Sequence, residues 1–123
     1  MNGTQETGSW GERVAAGVLQ AQGWRILDAN WRPPTGRGEV RGELDLVAVD
    51  GHQLTVCEVK TRRSMQCGHP FEAITADKTR RLHLLALAWA RSHEISTEEI
   101  RVDAVAITGT AAEFTFEHLK RVG

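Results

Sequence analysis

Residues Gly42 to Thr61 run GELDLVAVDGHQLTVCEVKT, and the reading of this stretch decides the fold. Two strand-like segments, 43–49 and 53–61, are rich in Leu and Val and flank Asp50-Gly51, a dipeptide that favours the tight turn of a β-hairpin. A two-residue turn there pairs Val49 with His52 and, counting back, sets Asp45 opposite Val56 and Glu43 opposite Glu58. Side chains alternate between the faces of a strand, and directly paired residues share a face. Glu43, Asp45, Glu58 and Lys60 are therefore predicted to project from one side of the sheet.

Outward from the hairpin the pattern alternates between helix and strand. Trp10, Val14, Ala15, Val18 and Leu19 recur at helical spacing within 8–22, and Gly23 follows as a C-terminal stop. Residues 24–31 read as a strand ended by Pro33 and Pro34, which cannot donate to a ladder. A loop containing Gly36, Gly38 and Gly42 leads into the hairpin. After a second loop, 64–70, the stripe Lys78, Leu82, Leu85, Ala86 and Trp89 marks a long helix ending near His93. Ser96 with Glu99 is the pattern of a cap for one further turn. Residues 101–107 read as a buried strand and 114–119 as a weaker final one. The predicted order is α-β-β-β-α-β with a final β, in a single domain over 1–123 whose ends, 1–7 and 120–123, are expected to be flexible.

A chain of 123 residues, 41% hydrophobic and 25% charged, can bury one core and has room for one site. It holds two cysteines, too few for a disulfide framework. No apolar run approaches the roughly 18 residues of a membrane span, and the polar start lacks the apolar stretch of a secretory signal. A cytoplasmic protein without a membrane partner is the expectation. With a net charge of −1, any binding of nucleic acid must rely on local clusters. The candidates are Arg32, Arg37 and Arg41; Arg62 and Arg63; and Lys78, Arg80 and Arg81. Each cluster also reads simply as solvated surface.

Carboxylates facing one another on a strand pair repel, and acids among Leu54, Val56 and Val59 are costly to bury without compensation. A divalent cation compensates: Mg²⁺ is commonly held by one or two carboxylates plus waters and phosphate oxygens. Lys60, two residues beyond Glu58, could orient the attacking water or stabilise charge on a phosphate. The plain alternative is a wet hairpin face carrying a surface ion-pair cluster. His52, Cys57, Cys67 and His69 lack the paired spacing of a zinc site. Trp10 and Trp89 fit a core, and Trp31, beside Arg32, is the tryptophan placed to stack on a base.

The segments Gly42-Glu43-Leu44-Asp45-Leu46-Val47-Ala48 and Cys57-Glu58-Val59-Lys60-Thr61-Arg62 resemble the core of the PD-(D/E)xK nucleases. More closely, the chain resembles the YraN family of small bacterial proteins, which is similar to archaeal Holliday-junction resolvases. Gly11-Glu12, Gly23, Asn30-Trp31-Arg32, Gly68, Pro70, Lys78, Arg81-Leu82, Asp103 and Val105 extend the likeness over most of the chain. The 33–41 link, longer than is usual for the family, and the ending His118-Leu119-Lys120-Arg121 depart from it. The resemblance implies an α/β restriction-endonuclease-like mixed sheet flanked by helices. It also implies Asp45 and Glu58 as ligands of Mg²⁺ or Mn²⁺, Glu12 as a third ligand from the first helix, and Lys60 as the catalytic lysine.

The expected function is a metal-dependent endonuclease acting on DNA, branched or structured, with phosphate contacts from Arg32, Arg62, Arg63, Lys78 and Arg81. The alternative is a non-catalytic nucleic-acid-binding or assembly module on the same fold. Junction-cleaving relatives act as dimers, which makes a homodimer a further expectation. For Glu12 two roles compete. Ser9-Trp10-Gly11-Glu12 fits a capping box, yet Glu12 also falls at the edge of the apolar stripe, within reach of the sheet.

Overall fold

A computed structural model describes residues 3–34, 40–97 and 99–122, with side chains from Ser9 onward. Part of the glycine-rich loop, including Gly36, Arg37 and Gly38, lies outside the described residues. The elements are α1 (Gly3–Ala21), β1 (Arg25–Trp31), β2 (Leu44–Asp50), β3 (Gln53–Arg62), a short 3₁₀ turn (Pro70–Ala73), α2 (Ala76–Ser92), β4 (Ile100–Thr110) and β5 (Glu113–Leu119). The strands form one mixed sheet in the order β1-β2-β3-β4-β5. Only β3 and β4 run parallel, and a parallel step needs a crossover, which α2 supplies. Among the described residues no helix is long and apolar enough to cross a membrane.

Both faces of the central strands are covered, which is why β2, β3 and β4 read as nearly continuous apolar runs. On one face Leu82, Leu85, Ala86 and Trp89 of α2 pack against Val47, Leu54, Val56, Ile100 and Val102. On the other, Ala15 and Leu19 of α1 meet Leu46, Cys57, Val59, Val105 and Ile107. Helix α1 ends as its sequence predicts. Gly23 adopts φ 95°, with Trp24 N–H donating to the Leu19 carbonyl and Gly23 N–H to that of Gln20, both at 3.0 Å, a Schellman ending. Gly11 lets α1 settle close to β3, because a Cβ at that position would overlap the Thr61 hydroxyl.

The hairpin register differs from the sequence expectation. Asp50 pairs with Gln53, Val49 with Leu54 and Leu46 with Cys57, so the turn is Gly51-His52, with Gly51 at φ 65°. Asp50 is kept in the strand, where its carboxylate accepts from Arg101 Nη2 at 2.8 Å. The guanidinium of Arg101 also donates twice to the fully buried Asp103, at 2.9 and 3.0 Å. The shift is two residues, one full period of the pleat, so every side chain keeps its face. Continuing the ladder brings Asp45 to the level of Glu58 rather than Val56.

A second difference follows α2. Among the described residues no further helical turn follows Ser96; the chain leaves α2 through a second Schellman ending. Glu94 takes φ 55°, its N–H meets the Arg91 carbonyl, and Ile95 N–H meets that of Ala90. Thr97 then spends its hydroxyl on the Glu99 carbonyl at 2.9 Å.

Candidate functional site

Asp45 stands second in β2, where the strand emerges from the loop. Its Oδ2 accepts from the Val59 amide of β3 at 2.8 Å. Burial, and next the charge of Glu58, push its carboxyl up to about 7; the Val59 amide opposes the rise, and Glu12 and Glu43 add to it. Glu12 reaches the same place from α1. Because α1 begins at Gly3, Ser9 lies inside the helix and Glu12 in its third turn, so the capping-box role does not apply. Burial raises the Glu12 carboxyl, a hydrogen bond from Asn30 opposes this, and Glu43 and Glu58 reinforce it. Asn30, the last residue but one of β1, lies in the left-handed region at φ 53°, a conformation that Asn tolerates better than most residues.

Glu43, just before β2, completes the group. Glu12, Glu43 and Asp45 each place a carboxylate oxygen within 4.8 Å of the others. Arg32 pairs with Glu43 through Nη2 at 2.8 Å and Nε at 2.9 Å. Three hard oxygen donors so close together suit a divalent cation such as Mg²⁺ or Mn²⁺, for which repulsion between the carboxylates becomes attraction.

Glu58 is not part of that close trio. Its side chain is 8% exposed, and Oε1 lies 3.4 Å from Lys60 Nζ and 3.3 Å from Lys78 Nζ. Burial lowers the Lys60 ammonium, with Glu58 opposing and Lys78 assisting. For Lys78 burial acts the same way, but Glu58 and Lys60 outweigh it and the net change is upward. The site thus has an acid-rich half at the start of β2 and a lysine-rich half on β3 and α2.

Of the residues assigned from sequence, Glu12, Asp45, Glu58, Lys60 and Lys78 come together, and Arg32 joins them through Glu43. Arg81 is exposed and runs past Gly42. Arg62 donates to the Thr61 carbonyl at 3.2 Å, and Arg63 is exposed beyond the end of β3. Cys57 lies on the opposite face within the α1-side core, where burial pushes its thiol well above the usual range. His69 is taken up by Glu117 at 2.9 Å. Trp31 is half-buried, packed against the α2-side core, and Trp89 donates from Nε1 to Asp28 at 2.9 Å. Sequence reasoning left Glu43 without a role and Asn30 outside the site. A non-glycine residue fit for the left-handed region at a strand end was the available signal for Asn30.

The sequence profile of "Uncharacterised protein family UPF0102" matches residues 11–107, from the glycine at the α1–β3 contact to Ile107 of β4. The chain belongs to the UPF0102 (YraN) family. A UPF0102 protein of Renibacterium salmoninarum is 50% identical over 119 residues, covering 96% of each chain. A UPF0102 protein of an Arthrobacter species is 49% identical over 117 residues, 94% of each. A third, from Beutenbergia cavernae, is 44% identical over the whole of both chains. In this member of UPF0102, the matched span includes every acidic residue and both lysines of the site.

Proposed function

We propose that this protein is a Mg²⁺- or Mn²⁺-dependent endonuclease that hydrolyses phosphodiester bonds in DNA, with branched or structured DNA as the substrate class. The observation that carries the reading is the convergence of Glu12 from α1 with Glu43 and Asp45 beside a buried Glu58 paired with Lys60. The PD-(D/E)xK resemblance of the same residues supports it. Bound by these carboxylates, a divalent ion would polarise a phosphoryl oxygen and lower the pKa of a coordinated water.

The residues of the chain divide the remaining work. Asp45, steadied by the Val59 amide, and Glu12, steadied by Asn30, hold their oxygens in place before a cation arrives, which lowers the ordering cost of binding. Lys60, half-buried and paired with Glu58, presents an ammonium for the attacking water or for charge developing on the phosphate. Formal charge favours an anionic substrate. Four carboxylates face three cationic side chains, Arg32, Lys60 and Lys78, and a divalent ion turns that deficit of one into an excess of one. Arg62, Arg63 and Arg81 stand as the outer phosphate contacts.

The test is a cleavage screen of single-stranded, duplex, flapped and four-way DNA with Mg²⁺ or Mn²⁺, beside Asp45→Asn, Glu58→Gln and Lys60→Ala. Metal-dependent cutting by the wild type, absent from all three variants while Lys60→Ala still binds DNA, is the expected result. A wild type that binds these substrates and cuts none would make the protein a non-catalytic nucleic-acid-binding module.

A further inference from the structure

We propose that the cavity between the end of β1 and the last turns of α2 is a subsite for one unpaired DNA nucleotide beside the phosphate to be cut, its base seated on Trp31 and its own phosphate met by Arg91. The inference rests on the endonuclease reading above and deepens it by naming the feature of the substrate that the site selects.

The cavity holds about 340 Å³ and is lined by Trp31, Pro33, Pro34, Ala88, Arg91 and Ser92. That volume lies at the low end of the roughly 300–1,000 Å³ of small-molecule sites, which suits one planar ring system. Pro33 and Pro34 follow β1 because they cannot donate to a ladder, and they leave rigid apolar walls with no N–H to satisfy. Trp31 is half-buried. Part of its ring packs against the α2-side core and the rest faces the cavity, a fixed aromatic surface of the kind on which any base stacks. Arg91 is exposed in the last turn of α2. Arg32, Arg80, Arg101 and Arg121 each pair with a carboxylate; among the described residues no acidic side chain pairs with Arg91, which leaves its guanidinium for a phosphate. The Ser92 hydroxyl is spent on the Trp89 carbonyl at 2.9 Å, so the cavity meets the face of a base and does not read its edge.

Position ties the cavity to the acidic centre. Trp31 pairs across β1 and β2 with Leu44, the residue between Glu43 and Asp45, and Arg32, next after Trp31, holds Glu43 at 2.8 Å. A DNA strand with one phosphate at the carboxylates therefore carries a neighbouring nucleotide past Trp31. A base inside a duplex is paired and stacked and must be taken out of the helix to enter a pocket, at a cost that is least where it is already single-stranded. The cavity thus favours DNA with unpaired nucleotides, at a flap or a junction, over plain duplex.

Anisotropy titrations of the full-length protein with flapped DNA, in metal-free buffer so that nothing is cut, test this. One flap is intact; its twin lacks the bases of the unpaired nucleotides nearest the duplex. The wild type is expected to bind the intact flap about tenfold more tightly than the abasic one, the order of one stacked base. Trp31→Ala should bring the two within about twofold, whereas Trp31→Phe, which keeps a ring, should retain most of the preference. Ala88→Leu fills the cavity from the helix and leaves Trp31 in place, so it should abolish the preference even if Trp31→Ala fails to fold. Arg91→Ala should weaken binding of both flaps alike and lower the salt slope by about one unit; an unchanged slope would overturn the role of Arg91. Equal wild-type affinity for the two flaps, or a preference untouched by Trp31→Ala or by Ala88→Leu, overturns the subsite and leaves the endonuclease reading to its cleavage screen. A base-dependent preference lost in those variants, in a protein that cuts none of the screened substrates with either metal, upholds the nucleotide subsite and overturns the endonuclease reading alone.

Discussion

Asp45 has a folded-state pKa of about 7, far above the value near 4 of an unfolded aspartate. Folding therefore holds a proton that the unfolded chain releases. The contribution of Asp45 to stability is greatest below about pH 4, declines as pH rises toward 7, and is unfavourable above that. Glu12, also raised, acts in the same direction. In metal-free buffer Asp45→Asn should be more stable than wild type at pH 8, by about 1–3 kcal/mol, and show a flatter dependence of Tm between pH 5 and 8. Equal pH profiles for the two proteins would overturn the upward shift assigned to the Asp45 carboxyl. Gly11 is the other residue on which the site depends, since its missing side chain brings the third turn of α1, and Glu12 with it, against β3. Gly11→Ala should cost about 1–3 kcal/mol by overpacking against Thr61. Thr61→Ala, which removes the obstructing hydroxyl, should restore much of that loss in the double variant, as urea titrations would show.

The two helices end alike but with different residues. Gly23 and Glu94 occupy the same position of a Schellman ending, and the left-handed conformation that glycine adopts freely costs a side-chain-bearing residue about 1–2 kcal/mol. Glu94→Gly should therefore stabilise the protein by about 0.5–1 kcal/mol, raising Tm by a few degrees, with no effect on the site. A lower Tm would mean that Glu94 has a favourable interaction outweighing its backbone strain. The strands behave in a complementary way. The Asp50-Gly51 signal specified a hairpin correctly but placed its turn one residue early, because the pull of Arg101 on Asp50 comes from β4, far along the chain. Faces survived the error because the register slipped by two residues; a slip of one would have sent Asp45 and Glu58 to the wrong side.

For the molecule as a whole, a net charge of −1 means that affinity for DNA must come from a few cations around an acidic centre. The salt dependence of binding should then be modest, and Arg62→Ala/Arg63→Ala should lower the slope of log affinity against log salt by about one unit for each phosphate those arginines neutralise. An unchanged slope would place both arginines on the solvated surface.

The order of the main elements, the β2–β3 hairpin, the buried β4 strand and the glycine-terminated first helix were legible from residue spacing, because periodicity and turn chemistry are local properties of the chain. The likeness of its motifs also pointed to the family. Local pattern could not decide the role of Glu12, since a capping box and a sheet-facing glutamate share the same four residues; only the start of α1 at Gly3 removed the first. Nor could it separate Glu58 from Glu43. Both stand on the acidic face, yet Glu58 is held by two lysines, one of them from α2, whereas Glu43 closes on Asp45 and Glu12. Which carboxylate meets an ammonium and which meets another acid depends on where a crossing helix sets its first turn, and that position is set by the packing of Leu82, Leu85 and Trp89 against strands distant in sequence.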